Sequence, residues 1–170
     1  MVVPFLIFMM YDSSFYYLIA LIILSIAAAT DYLDGMIARR RNQVSLLGKL
    51  IDPLADKLLI STAFVYFVSI ERLDIPVWAV VVIIAREFTI NGLRTIAASK
   101  GSIIAASYFG KLKTVIQLTA VFLILVMLIK NQYLNFAAPL TALVAVVTAA
   151  TGAVYIIENK GILNDNQEDI

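Results

Sequence analysis

The chain contains no cysteine and no histidine. The first absence removes disulfides, thiolate metal sites and cysteine nucleophiles. The second removes the commonest general base and the usual ligand for zinc or copper, so any metal chemistry must rest on oxygen donors. Charge is scarce as well: 15% of the 170 residues are charged and 62% are hydrophobic. A soluble domain of this size carries far more charge, and this balance points to an integral membrane protein. The net charge of +1 gives no electrostatic footprint for nucleic acid, which is not expected as a partner. No internal repeat or low-complexity segment is present.

What the chain does have is a series of apolar runs. A helix needs about 20 apolar residues to cross a bilayer. Candidate spans are Phe15–Thr30, continuing as helix to Arg39, then Pro53–Ile70, Ile75–Ala98, Ser107–Ile129 and Ala138–Ile157. Val2–Tyr11 is apolar but too short to cross alone, and it lacks the basic flank and cleavage site of a signal peptide. It reads as the second half of a first helix truncated at its N-terminus. The expected fold is therefore all-α and integral to the membrane: a six-helix bundle over residues 1–157 with an incomplete first helix, then a polar cytoplasmic tail over 158–170. Asp12-Ser13-Ser14 offers N-capping groups, and Asp52-Pro53 predicts a helix start with Asp as N-cap and Pro at the first helical position. Arg39, Arg40, Arg41, Lys49 and Lys57 follow the second span, and Arg94, Lys100, Lys111 and Lys113 surround the turn after the fourth. The opposite side carries Arg72 and Lys130. Lysine and arginine placement thus puts both basic turns and both termini on the cytoplasmic side of the cell membrane.

The stretch "DYLDGMIARRRNQVSLLGKLIDPLAD" places four aspartates on that side. At about 100° per residue, Asp31, Asp34, Gly35, Ala38 and Arg39 share one arc of a helix. Asp52 and Asp56 are one turn apart on the next helix. Two adjacent helices thereby bring four carboxylates together, each costing up to about 3 kcal/mol if left uncompensated at mid-bilayer. Two divalent cations would neutralise them. All-oxygen donors favour Mg2+ or Mn2+, and a pair of such ions is a common clamp for phosphoryl transfer. Gly35 and Ala38 leave room for a bulky ligand against the backbone, and Arg39 would answer phosphate charge. The blander alternative is that these aspartates pair with the arginine cluster at the interface.

The full pattern is Asp31-x-x-Asp34-Gly35-x-x-Ala38-Arg39, then eight residues to Gly48, three to Asp52 and three to Asp56. It resembles the signature of the CDP-alcohol phosphotransferases, every fixed position present at the family's spacing. The resemblance implies a six-span membrane enzyme, often a homodimer, that uses two divalent metals. Asp31, Asp34 and Asp52 would be metal ligands, and Asp56 the general base with a share in the metal site. Gly35, Ala38, Arg39 and Gly48 would lie along the CDP moiety. Members of that family usually begin with an amphipathic segment ahead of the first helix, whereas this chain begins within that helix.

The fourth span carries "AREFTINGLR", in which Glu87, Asn91 and Arg94 share a stripe bordered by Arg86. Intramembrane ionisable groups of this kind face polar cavities. With Lys111 and Lys113 of "GKLKT", Arg86 and Arg94 are the candidate cationic pocket for the phosphate of an anionic acceptor. The competing reading pairs Glu87 structurally with an arginine and lets the lysines snorkel to the headgroups. Both segments resemble the phosphatidylglycerophosphate synthase branch of the family, which implies CDP-diacylglycerol as phosphatidyl donor and glycerol 3-phosphate as acceptor. A sibling enzyme using another alcohol, a membrane cation transporter and an inactive scaffold remain open alternatives.

Overall fold

A computed structural model describes residues 5, 7, 11–41, 46–99 and 108–159. For residues 31–41, 46–56, 98–99, 108–109 and 111 it describes the backbone alone. The described residues are all-helical: α1 (Ser14–Arg41), α2 (Leu46–Val68), α3 (Val77–Ser99), α4 (Tyr108–Lys130) and α5 (Ala137–Glu158). Short 3-10 turns at Glu71–Leu73 and Leu134–Phe136 join α2 to α3 and α4 to α5. Five α-helices thus stand where six were expected, because Val2–Tyr11 lies largely outside the described residues. The bounds of α1, α3, α4 and α5 fall within about two residues of the apolar runs, the usual uncertainty of helix ends.

One expectation is corrected. Asp52 and Pro53 do not start a helix, because α2 already begins at Leu46. The apolar "LLGKLI" segment extends the helix backwards, and Pro53 sits in its interior. There the missing N–H forfeits a single ladder bond, a cost that a long helix packed by its neighbours tolerates.

α3 packs most extensively on α5, α1 on α4, and α4 also on α5. One apolar cluster fills the half of the bundle that holds the two 3-10 turns. It contains Tyr17 and Leu24 of α1, Phe64 and Phe67 of α2, Ala79 and Ile83 of α3, Val121, Ile124 and Leu125 of α4, and Val144 and Ala145 of α5. At its far edge Asp12 accepts hydrogen bonds from Tyr17 Oη (3.0 Å) and Arg72 Nη2 (2.5 Å).

The outer surface is apolar too. Val77, Trp78, Val81 and Phe88 of α3, Val115 and Phe122 of α4, and Leu143, Val146 and Ile157 of α5 are all exposed. Helices that are apolar outside as well as inside belong in lipid. Leu112–Lys130 and Leu134–Glu158 are long and apolar enough to cross a membrane. α3, at 23 residues, reaches about 34 Å, more than the roughly 30 Å hydrocarbon core. In lipid, close packing rather than water exclusion holds helices together, and the alanines at buried positions suit that.

Candidate active site

Three of the helices, α3, α4 and α5, change character at the same level. Along α3 the apolar Ala79, Val80 and Ile83 give way to Arg86 and Glu87. Along α5, Val144 and Ala145 give way to Thr148, Gly152 and Tyr155. α4 runs the other way, from Lys113 and Gln117 into Ala120, Val121 and Ile124. The polar layer therefore runs through α3, α4 and α5, at the end towards which α1 carries its aspartates.

α1 is helical through Arg41 and α2 is helical from Leu46. Asp31, Asp34, Gly35, Ala38 and Arg39 thus lie on the last turns of α1, and Gly48, Asp52 and Asp56 on the first half of α2. The spacing of three on α1 and four on α2 keeps its helical meaning. The side chains of all eight lie outside the described residues, as does that of Lys111 on α4. Among the described residues no group of three or more potential metal ligands gathers. An apolar cleft of about 120 Å³, lined by Leu24, Ala27, Ala28, Leu59, Ile60, Thr114 and Leu118, opens one turn before Asp31 and one turn after Asp56.

The remaining three predicted residues, Arg86, Arg94 and Lys113, are described, and the structure gathers them around Glu87. Lys113 Nζ and Glu87 Oε1 form a buried ion pair, and Arg86 Nη1 lies 3.5 Å from the same oxygen. The Lys113 and Glu87 side chains are 6% and 8% exposed, so neither lysine snorkelling nor a solvated carboxylate describes this pair. Lys113 Nζ also approaches Gln117 Oε1 at 3.5 Å, and Gln117 Nε2 donates to Thr148 Oγ1 at 3.4 Å. One turn along α3, Asn91 Oδ1 accepts a hydrogen bond from Lys57 Nζ, tying the residue after Asp56 to the α3 stripe. Arg94 Nε donates to Tyr155 Oη at 2.9 Å, with its guanidinium carbon 5.3 Å from the tyrosine ring centre. Among the described residues two cations, Lys113 and Arg86, therefore meet the Glu87 carboxylate, while Arg94 is held by Tyr155 and Lys57 by Asn91. Two buried cations on one carboxylate leave positive charge among the described residues that an anion can answer.

A family model, CDP-alcohol phosphatidyltransferase, matches residues 1–154. The chain belongs to this family. A protein of Bacillus subtilis named CDP-diacylglycerol–glycerol-3-phosphate 3-phosphatidyltransferase is 41% identical over 140 residues, covering 81% of this chain and 72% of its own. A protein of the same name from Haemophilus influenzae is 34% identical over 151 residues, 87% of this chain and 80% of its own. Another of that name, from Rickettsia typhi, is 36% identical over 122 residues, 71% and 67% of the two chains.

For a CDP-alcohol phosphatidyltransferase, the residues legible in the sequence lie on α1, α2, α3 and the start of α4. Gln117, Thr148, Gly152 and Tyr155 join them only in the structure, as does Lys57 through its bond to Asn91. The signal in α5 was present: Thr148, Gly152 and Tyr155 recur at spacings of four and three, a stripe that interrupts an otherwise aliphatic span.

Proposed function

We propose that this membrane protein transfers the phosphatidyl group of CDP-diacylglycerol to glycerol 3-phosphate, giving phosphatidylglycerophosphate and CMP. The observation that carries the reading is the family match, together with relatives 34–41% identical that bear the name of this activity. Arg86 beside Glu87 and Arg94 about two turns further along the same helix support a phosphorylated acceptor, and the apolar cleft beside the aspartate helices gives a lipid chain a surface to follow.

The family uses divalent metal ions. The donor set fits them, since Asp31, Asp34, Asp52 and Asp56 supply only hard oxygens and the chain has neither histidine nor cysteine. Two Mg2+ or Mn2+ ions, when bound there, supply positive charge to a pyrophosphate. The chain's own residues do the rest. Gly35, Ala38 and Gly48 admit the cytidine diphosphate against the backbone, and Arg39 meets its phosphate charge. Arg86, Arg94, Lys111 and Lys113 hold the acceptor phosphate. Asp56 accepts the proton of the primary hydroxyl of glycerol 3-phosphate. The freed oxygen bonds to the lipid-linked phosphorus as that phosphorus parts from the oxygen retained by CMP. The site faces the cytoplasm across the cell membrane, within a domain spanning residues 1–157, and the assembly is a homodimer.

The test is direct. Purified protein in detergent is given CDP-diacylglycerol, glycerol 3-phosphate and Mg2+, and CMP and the new lipid are measured. Stoichiometric formation of both, abolished by EDTA and restored by Mg2+, is expected. CMP release equally fast without glycerol 3-phosphate would reject the transfer reaction.

A further inference from the structure

The last helix carries none of the signature residues, yet it touches both arginines of the acceptor pocket. Gly152 is buried on α5. A methyl group placed on it would lie 2.7 Å from Cγ and 3.2 Å from Nε of Arg86. Cγ is near the root of the side chain rather than its mobile tip, so a Cβ there forces the whole Arg86 chain to a new path. Nε of Arg86 is buried and has no hydrogen-bond partner among the described residues. What fixes this guanidinium at the α5 face is therefore the space above Gly152, with Glu87 at its other end at 3.5 Å. Three residues on, the Tyr155 hydroxyl accepts a hydrogen bond from Arg94 Nε, while the tyrosine ring packs with Ile90 and Leu93 of α3. That bond uses the inner nitrogen of Arg94 and leaves its two terminal amino groups, which make no ion pair among the described residues, for a planar two-point contact with an oxyanion.

We infer that Gly152 and Tyr155, one helical turn apart on α5, are positioning residues that aim Arg86 and Arg94 at the acceptor phosphate, Gly152 by leaving space and Tyr155 by fixing Nε. The inference rests on the proposed acceptor pocket. A displacement of about 1 Å in a positioned group can cost on the order of 10²-fold, so Gly152→Ala should raise KM for glycerol 3-phosphate by roughly that factor. Tyr155→Phe keeps the ring and removes one hydrogen bond, for an expected rise of about three- to tenfold. In both variants KM for CDP-diacylglycerol should stay within about twofold of wild type, a split that a general packing defect does not produce.

The experiment measures KM for both substrates, kcat and thermal unfolding in detergent for Gly152→Ala, Tyr155→Phe, Arg86→Ala, Arg94→Ala and the lipid-facing control Ala153→Val. Selective loss of glycerol 3-phosphate affinity in both α5 variants, with the control unchanged, is the expected result. If the arginine variants raise that KM and neither α5 variant does, the positioning role is overturned while the pocket stands. If the arginine variants leave it unchanged, the pocket itself is wrong. Should Gly152→Ala fail to fold, Tyr155→Phe carries the decision alone.

Discussion

The half of the bundle built around Phe64, Val121 and Leu125 and the half built around Glu87, Arg86 and Arg94 are made by the same helices but held together differently. In the first, the interior contacts are chiefly between apolar groups, and losing one atom leaves a small void. In the second, Glu87 joins α3 to α4, and Gln117 with Thr148 joins α4 to α5, through hydrogen bonds and charge. Removing one partner there leaves another stranded in a dry interior. The apolar half can be specified loosely by volume, whereas the polar half requires particular residues at particular positions. A site that must recognise phosphate inside a membrane needs the second kind of order, and the first kind supplies the frame.

Substitutions that separate the two halves can be ranked. Asp56→Asn should reduce kcat by about 10²–10⁴-fold, the usual worth of a general base, with KM for glycerol 3-phosphate little changed; steady-state CMP release measures both. Glu87→Ala strands the Lys113 ammonium and should cost about 3–5 kcal/mol of stability. The double variant Glu87→Leu with Lys113→Met should regain the part due to Lys113, though not that due to Arg86, in chemical denaturation while activity stays lost, separating charge for function from charge for folding. In the apolar half, Leu125→Ala should cost about 2–5 kcal/mol and leave both KM values unchanged in the fraction that remains folded. The smallest effect belongs to the other ion pair, Arg72 with Asp12, whose side chains are 36% and 64% exposed. Arg72→Gln should shift stability by no more than about 1 kcal/mol, and less in high salt.

The ends of α1, α3, α4 and α5 were legible because long apolar runs broken by charged or turn-forming residues leave little choice. Pro53 misled, because an X-Pro pair reads locally as a boundary and the flanking "LLGKLI" was too short to reveal the extension of α2. On α3 the stripe was readable: charges in a lipid-facing helix must turn inwards, so Glu87 and Arg94 announced a polar cavity. That Glu87 pairs with Lys113 rather than chiefly with an arginine was not readable, since the choice depends on which side chain of α4 arrives at its level. Gly152 and Tyr155 escaped for a related reason. A glycine and a tyrosine in a membrane span are common packing residues, and their relation to Arg86 and Arg94 exists only once α5 lies against α3.

The account turns on the charged half recognising a phosphate on the acceptor, and the most direct measurement is the ratio of kcat/KM for glycerol 3-phosphate to that for glycerol. It should be taken on the wild type and on the Arg86→Ala/Arg94→Ala double variant. Each arginine offers charge-assisted hydrogen bonds worth about 1.5–3 kcal/mol, or roughly 10- to 100-fold. The expected result is a strong preference for glycerol 3-phosphate in the wild type that collapses by at least about 10²-fold in the double variant, through loss of the phosphorylated substrate alone. A wild type that uses glycerol as readily, or a preference that survives loss of both arginines, would contradict it.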